Sequence, residues 1–134
     1  MTPFDLKIVT PDGLAFDGQA EFLSVRTNTG DVGIMAGHTN LVAPLGMGRA
    51  TIVQDGKNRY AACIGGMVSV IGGKVTLVPT TFEWSEDIDA ARAERSYNRA
   101  QLTLQDKHAS KADIALAEAR LKRALIRKNV ATMK

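Results

Sequence analysis

Cysteine, proline and aromatic residues are scarce in this chain of 134 residues, and their scarcity is uneven. Cys63 is the one cysteine, so an intrachain disulfide is impossible and a disulfide-stapled scaffold is excluded. A lone thiol fits a reducing compartment. It lies in the apolar run Tyr60–Ile64, where a small buried hydrophobe is the expected role rather than a nucleophile. Aromatic residues make up 5% of the chain, and Tyr97 is the only one after residue 84. Nucleic-acid modules interleave bases with aromatic platforms, so this shortage counts against one. No apolar run approaches the roughly 18 residues of a membrane-spanning helix. The opening Met1-Thr-Pro-Phe-Asp lacks the basic and apolar blocks of a secretory leader, and no Arg/Ser-rich transit peptide is expected. All 12 glycines lie between Gly13 and Gly73 and all 4 prolines between Pro3 and Pro79. Residues 80–134 contain neither, so the front is a turn-rich fold and the back is free of helix breakers.

The remaining composition, 45% hydrophobic and 23% charged, is that of a globular chain. Phe4–Val9 and Ala20–Thr27 alternate apolar and polar side chains, the period of a half-buried strand. Pro11-Asp12-Gly13 is a turn signal. Gly48–Gln54 and Asn58–Ile64 flank Asp55-Gly56, a strong hairpin signal. Met67–Ile71 and Lys74–Val78 flank a second glycine pair. Many short strands with tight turns predict a β-sandwich or barrel over residues 1–84.

Trp84 marks the change to helix. Ser85-Glu86-Asp87 offers a cap and two acids at a helix start, and the first helix is expected from Ile88 to Gln105. Ala90, Ala93, Tyr97, Ala100 and Leu104 form its stripe. Asp106–Ser110 interrupts, and Ser110 with Asp113 reads as a capping box that opens a second helix. Ile114, Ala117, Leu121 and Ala124 form the second stripe. The two stripes predict an antiparallel hairpin over residues 85–134. An alanine seam buries little area and holds weakly at about 25 cal/mol per Å², so the hairpin is expected to dock, open or extend.

Charge follows the same division. Residues 1–84 carry six basic and seven acidic side chains; residues 85–134 carry eleven and seven, for a net +4 in the helical half. That half suits an acidic partner: a protein, a nucleotide or a nucleic acid. Catalytic patterns are missing. Gly72-Gly-Lys-Val lacks the first Gly and the Ser/Thr of a P-loop, and Gly46-Met-Gly-Arg lacks the third Gly of a dinucleotide fingerprint. His38 and His108 lie far apart, and no metal spacing or Ser-His-Asp set can be assembled. The chain therefore reads as no enzyme in its own right. Gly30, Gly33 and Gly37 precede His38 in an irregular segment that is either a partner-binding loop or a structural turn. Arg92 and Arg99 share one face of the first helix, and Arg123 and Arg127 share one face of the second. In an antiparallel hairpin they either converge near the sandwich, with Asp89 and Glu83 beside them, or scatter over the surface. A convergent set suits phosphate oxygens, with the acids accepting from an amine or ribose.

Four segments carry a resemblance that spans essentially the whole chain: Phe4–Gly13, Gly30–His38, Ile88-Asp-Ala-Ala-Arg-Ala93 and Lys122–Arg127. In this order and spacing they resemble the epsilon subunits of bacterial and plastid F-type ATP synthases. The resemblance implies a ten-stranded β-sandwich followed by a two-helix hairpin, all-β plus α. It implies a non-catalytic subunit of the central rotor, with the sandwich on the gamma subunit and the ring of c subunits. The hairpin either folds on the sandwich or extends toward the alpha and beta subunits, where it inhibits ATP hydrolysis. The proton-transporting complex would hold the chain peripherally on the cytoplasmic face of a bacterial plasma membrane, more so than on a plastid thylakoid.

Site residues follow from the same resemblance. Gly30, Asp31, Gly33, Ile34, Met35 and His38 match the segment facing gamma and the c-ring. Met35 stands where Leu is frequent, and Thr39-Asn40 rather than a proline turn follows His38. Glu83, Ile88, Asp89, Arg92, Ala93, Arg99, Arg123 and Arg127 match the ATP contacts of members that bind nucleotide on the folded hairpin. ATP would be a regulatory ligand; no obligatory cofactor and no metal are implied. Arg120, Lys122, Arg123, Arg127 and Lys128 would meet the beta subunit in the extended form. The competing reading is an adaptor whose basic hairpin binds nucleic acid or an anionic membrane.

Overall fold

The structure, a computed structural model, describes residues 2–133. Eight strands come first: β1 (Phe4–Thr10), β2 (Gly13–Ala20), β3 (Phe22–Thr27), β4 (Gly30–Ile34), β5 (Leu41–Pro44), β6 (Met47–Gln54), β7 (Lys57–Ile71) and β8 (Lys74–Trp84). A 3-10 turn over Ser85–Asp87 leads to helices α1 (Ala90–Gln105) and α2 (Lys111–Ala131).

Hydrogen bonding runs continuously through β2-β1-β8-β7-β6-β3-β4, with β5 attached to β7. One sheet becomes a sandwich because β7 and β8 bend together at mid-length. The first part of β7 pairs with β6, from Gln54↔Lys57 to Met47↔Ile64. Its last part pairs with β5, from Pro44↔Met67 to Leu41↔Val70. The start of β8 lies parallel to β1, with Leu6 opposite Val75. The bend falls at Gly65 and Gly66, opposite Pro79. Gly66 has φ +95°, and a Cβ there would stand 2.0 Å from the Val78 carbonyl oxygen. Only glycine accepts both the backbone conformation and this approach. The bend also corrects the expected strand number: among the described residues there are eight rather than ten, since β7 and β8 each pass unbroken through both layers.

The inward residues alternate along each strand as the period-2 pattern requires. Leu6, Ile8, Leu23, Val25, Ile52, Val68, Val70 and Leu77 are fully buried in one cluster. Three expectations change. β2 and β5 appear where no strand was expected, and Gly30–Ile34 is a regular strand paired with β3 rather than an irregular loop. Only residues 35–40 of that segment are irregular.

The hairpin stands on the outer face of β6 and β7, which α2 touches. Ala62 and Ile64 point to that face, opposite the core, and are still buried. Asp89, not Ser85, caps α1: its carboxylate accepts from the Arg92 N–H at 3.0 Å. The Ser85 segment makes a separate turn instead. Ser110 and Asp113 form the expected capping box of α2. The helix seam consists of Ala93 and Ala100 against Ala117 and Ala124, all buried, while Leu102, Leu116 and Leu125 face solvent.

Candidate functional site at the base of the hairpin

A cavity of about 620 Å³ opens where the sandwich, the linker and both helices meet. Each wall has a different origin. The β1–β2 turn brings Thr10, Pro11 and Asp12; β8 brings Thr80 to Glu83; the linker brings Ile88 and Asp89; α1 brings Arg92, Ala93 and Ser96; α2 brings Ala124 and Arg127. Six of the eight residues carried over by resemblance therefore meet here: Glu83, Ile88, Asp89, Arg92, Ala93 and Arg127. Arg99 does not. It lines a neighbouring cleft higher between the helices. Arg123, half-buried on α2, lines neither of these two cavities. The seven-residue spacing of Arg92 and Arg99 puts them on one face but about 10 Å apart along the axis, so one face supplies two successive cavities. Thr10, Pro11 and Asp12 are residues that sequence reasoning missed. Nothing local in a Pro-Asp-Gly turn indicates that tertiary folding will bring it beside residues of α1.

The electrostatics divide the cavity. The Glu83 carboxylate accepts from Arg127 Nε at 2.6 Å, with both side chains about one-third exposed, at 34% and 31%. This pair ties β8 to α2. The Arg92 guanidinium has no ion-pair partner among the described residues and is exposed, so it remains available to an anion. The Asp89 carboxylate keeps one oxygen for a second donor after capping α1. The site therefore presents a cation, acceptor oxygens, an apolar wall from Ile88 and hydroxyls from Thr80 and Thr81.

Nearby contacts hold the hairpin down. Lys128 Nζ lies 2.8 Å from Glu94 and 4.1 Å from the Tyr97 ring centre, joining α2 to α1. Val130 is buried at 1% exposure near the end of α2, and Arg49 of β6 donates to the Met133 sulfur at 3.5 Å. Arg59 stacks 3.7 Å over Trp84 and pairs with Glu86 at 3.0 Å, fixing the linker. The backbone hydrogen bond at Glu86 and the Arg59 guanidinium hold its carboxyl below the usual glutamate range. Of the set carried over for the beta subunit, Arg127 and Lys128 are thus engaged within the folded hairpin, while Arg120 and Lys122 are exposed.

The sandwich carries two further surface features. Asp31, Gly33 and Met35 are exposed, Gly30 and His38 are half-buried, and Ile34 is fully buried in the core. Ile34 thus anchors the segment rather than offering surface. His38 Nδ1 donates to its neighbour Thr39's carbonyl at 2.7 Å, and the other ring nitrogen has no hydrogen-bond partner among the described residues. On the outer sheet, Pro44, Met67 and Val78 sit side by side across β5, β7 and β8. Met67 and Val78 are 42% and 47% exposed, and Val42 next to them is 62% exposed, a contiguous apolar row. No cluster of metal-ligating side chains exists among the described residues. Burial pushes the Cys63 thiol up to about 12, which suppresses thiolate and fits a packing role.

Comparison with known proteins decides the family. The model of the ATP synthase delta/epsilon chain β-sandwich domain matches residues 3–85, and that of the long α-helix domain of the same chain matches residues 86–132. The chain belongs to the ATP synthase epsilon chain family. It is a non-catalytic subunit of an F-type ATP synthase. The ATP synthase epsilon chain of Bacillus cytotoxicus is 40% identical over 134 residues, covering all of both chains. That of Ruminococcus albus is 42% identical over 135 residues, again across both chains in full. A chain in the Euglena gracilis mitochondrial ATP synthase superposes with TM-score 0.85 at 21% identity, over 96% of this chain and 81% of that one. A chain in the Tetrahymena thermophila central stalk and c-ring gives 0.66 at 15% identity, over 96% of each. These structures show the same fold. Family membership displaces the adaptor reading. No helix among the described residues is long and apolar enough to cross a membrane.

Proposed function

We propose that the chain is a central-stalk rotor subunit whose helical hairpin regulates ATP hydrolysis, with ATP holding the hairpin folded. The sandwich binds the gamma subunit and the c-ring, and the complex keeps the chain peripherally on the cytoplasmic face of the membrane. The apolar row at Val42, Pro44, Met67 and Val78 and the exposed residues Asp31, Gly33 and Met35 support partner binding, since apolar patches on a sheet face mark interfaces. The similar fold found in the Tetrahymena thermophila central stalk and c-ring assembly supports this reading.

One observation carries the regulatory reading: a single cavity touches the sandwich, the linker and both helices, and its wall holds an unpaired arginine. A ligand filling it contacts elements that separate when the hairpin extends. It therefore binds only the folded form and shifts the population toward it, by RT ln(1 + [L]/Kd). Arg92 takes phosphate oxygens, while Asp89 and Glu83 accept from the base or ribose. Extension then requires ATP to leave, and frees Arg127 and Lys128 for the beta subunit together with Arg120, Lys122 and Arg123.

Calorimetry of the full chain with ATP tests this. Wild type is expected to bind, and Arg92→Ala to weaken binding about tenfold or more, the loss of a charge-assisted hydrogen-bond pair. Arg123→Ala tests the remaining residue of the set. No heat from wild type at millimolar ATP would remove the nucleotide from the mechanism. In the assembled complex, a chain ending after Trp84 is expected to raise ATP hydrolysis; unchanged hydrolysis would refute the inhibitory role.

A further inference from the structure

The chain leaves the sandwich through a short linker whose two ends are held by different bodies. Ala61 of β7 pairs with Trp84, and Ile52 of β6 pairs with Arg59. Directly opposed residues share a face of a sheet, and Ala61 and Ile52 are fully buried. Arg59 and Trp84 therefore lie on the core face, at one end of the sandwich. Trp84 meets Phe82 edge-on, with ring centres 4.9 Å apart, and both pack against the core. The Arg59 guanidinium lies 3.7 Å over the Trp84 ring, and its Nη2 donates to the Glu86 carboxylate at 3.0 Å. Ser85 Oγ donates to the other oxygen of that carboxylate at 3.2 Å. A planar guanidinium can stack with its face and donate from its edge at once, which an ammonium cannot. One side chain of β7 thus holds the last residue of β8 and the 3-10 turn beyond it.

On the far side, Asp89 belongs to α1. Its carboxylate accepts from the Arg92 N–H and its carbonyl from the Ala93 N–H, each at 3.0 Å. Between the turn and the helix only Ile88 and Asp89 lie outside regular structure. Both are extended, at φ −76°, ψ 127° and φ −78°, ψ 97°. The Ile88 N–H still reaches back to the Ser85 carbonyl at 3.4 Å. The torsions free of both bodies are therefore the two that flank the Ile88–Asp89 peptide bond.

We propose that Arg59 positions the hinge of the hairpin: it clamps Trp84 and residues 85–87 to the sandwich in every state, so that the hairpin turns about the Ile88–Asp89 bond alone. The inference rests on the proposed hairpin movement and adds its pivot. Every member of the clamp precedes the pivot, so docking and release leave it intact. The contacts that break on release are those that span the pivot: the Glu83–Arg127 pair and the packing of Ala131 and Met133 beside Ser85 and Glu86. A two-residue hinge sends a rigid hairpin in a defined direction, whereas a linker loose from residue 85 lets it sweep. Both pivot residues also line the cavity at the base of the hairpin, so a ligand there acts on the hinge itself.

Val130→Asp in the full chain tests this, because a carboxylate at a site 1% exposed drives the end of α2 off the sandwich. Val130 lies outside the sandwich core, so the variant keeps that module. Glu83→Lys, which sets a second cation against Arg127, repeats the test without a buried change. X-ray scattering reads the release as a larger radius of gyration. Acrylamide quenching of Trp84, the one tryptophan, reads the clamp. Trp84 lines neither cavity that lies between hairpin and sandwich, so release by itself does not uncover it. Each release variant is expected to enlarge the chain and to leave quenching as in wild type. Arg59→Ala uncovers the ring and is expected to raise quenching about twofold. Adding Val130→Asp to Arg59→Ala is expected to raise it further, since an unclamped linker leaves with the hairpin. A rise in the release variants alone puts the pivot before the turn and overturns the proposal while the movement stands. Equal quenching in Arg59→Ala with and without Val130→Asp shows that Arg59 merely covers the ring, and overturns its positioning role. An unchanged radius in both release variants removes the movement, and the hinge with it.

Discussion

The sandwich and the hairpin bury apolar residues in different ways. The sandwich core holds Leu6, Ile8, Leu23, Ile34, Ile52 and Leu77 at 0 to 1% exposure, drawn from strands distant in the chain. The seam of the hairpin holds four alanines, and Val130 is the only large hydrophobe fully buried in either helix among the described residues. Each core leucine contributes about 1.5 to 3 kcal/mol on burial, whereas an alanine contributes the equivalent of about one methyl group, near 0.8. The sandwich is thereby a rigid base, and the hairpin is an element whose position small free energies can change. On the proposed regulatory reading, a ligand or partner worth about 3 kcal/mol is expected to shift the second and not the first.

The largest effect that sharpens this contrast comes from the core. Leu23→Ala is expected to cost about 2 to 5 kcal/mol of global stability by denaturant titration. Cys63 supplies the matching readout. Its thiol, ordinarily near 9.0 and raised to about 12 in the fold, is neutral and shielded. A raised pKa contributes stability that is complete below about 9 and is lost as pH rises toward 12. Alkylation at pH 8 is therefore expected to be slow in wild type and to accelerate in Leu23→Ala. Equal rates would mean that Cys63 does not report on the sandwich.

Next is Val130→Ala, which removes the largest buried side chain of the hairpin. It is expected to cost about 1.5 to 2 kcal/mol, and to cost it locally. Hydrogen exchange should quicken in α2 while β1, β3 and β7 keep their protection and Cys63 stays unreactive. Loss of protection in both regions would show that they unfold as one unit and would break the comparison.

The smallest is Glu83→Gln, which keeps shape but removes one charge from the Arg127 pair at the junction. With both groups about one-third exposed, solvent screening limits the effect to about 0.5 to 1 kcal/mol of docking. Exchange protection at the base of α2 should fall slightly, and less at high salt than at low. A loss as large as that of Val130→Ala would assign the docking to electrostatics instead.

Legibility in the sequence varied with how local the determinant was. Helix α2 was readable from Ser110 and Asp113, because a capping box closes within three residues. Helix α1 was readable in extent, but its cap shifted to Asp89 because Ser85 was drawn into a separate 3-10 turn, next to the Arg59–Glu86 pair. Strand β2 was hidden, since an edge strand with one buried residue in eight shows no apolar alternation. Strand β4 was hidden by Gly30 and Gly33, which signal turns in general but here only complete a ladder beside β3. Of the residues proposed to hold nucleotide, Ile88, Asp89, Arg92 and Ala93 are close in sequence and line one cavity. Arg99 fell into the next one, because helical rise separates residues that helical phase aligns.

By itself the sequence determined the division into a glycine-punctuated strand half and a breaker-free helical half, the weak alanine seam and the family. These depend on residue type, spacing and order, which one dimension records. Tertiary structure alone decided that the Pro11-Asp12 turn borders the same cavity as Arg92 and Arg127, that Arg99 lines a separate cleft, and that Ile34 turns inward. Those outcomes depend on how a sheet folds over at Gly66 and where a hairpin lands on its outer face. Both are set by packing between distant residues, whose proximity exists only once the chain has closed on itself.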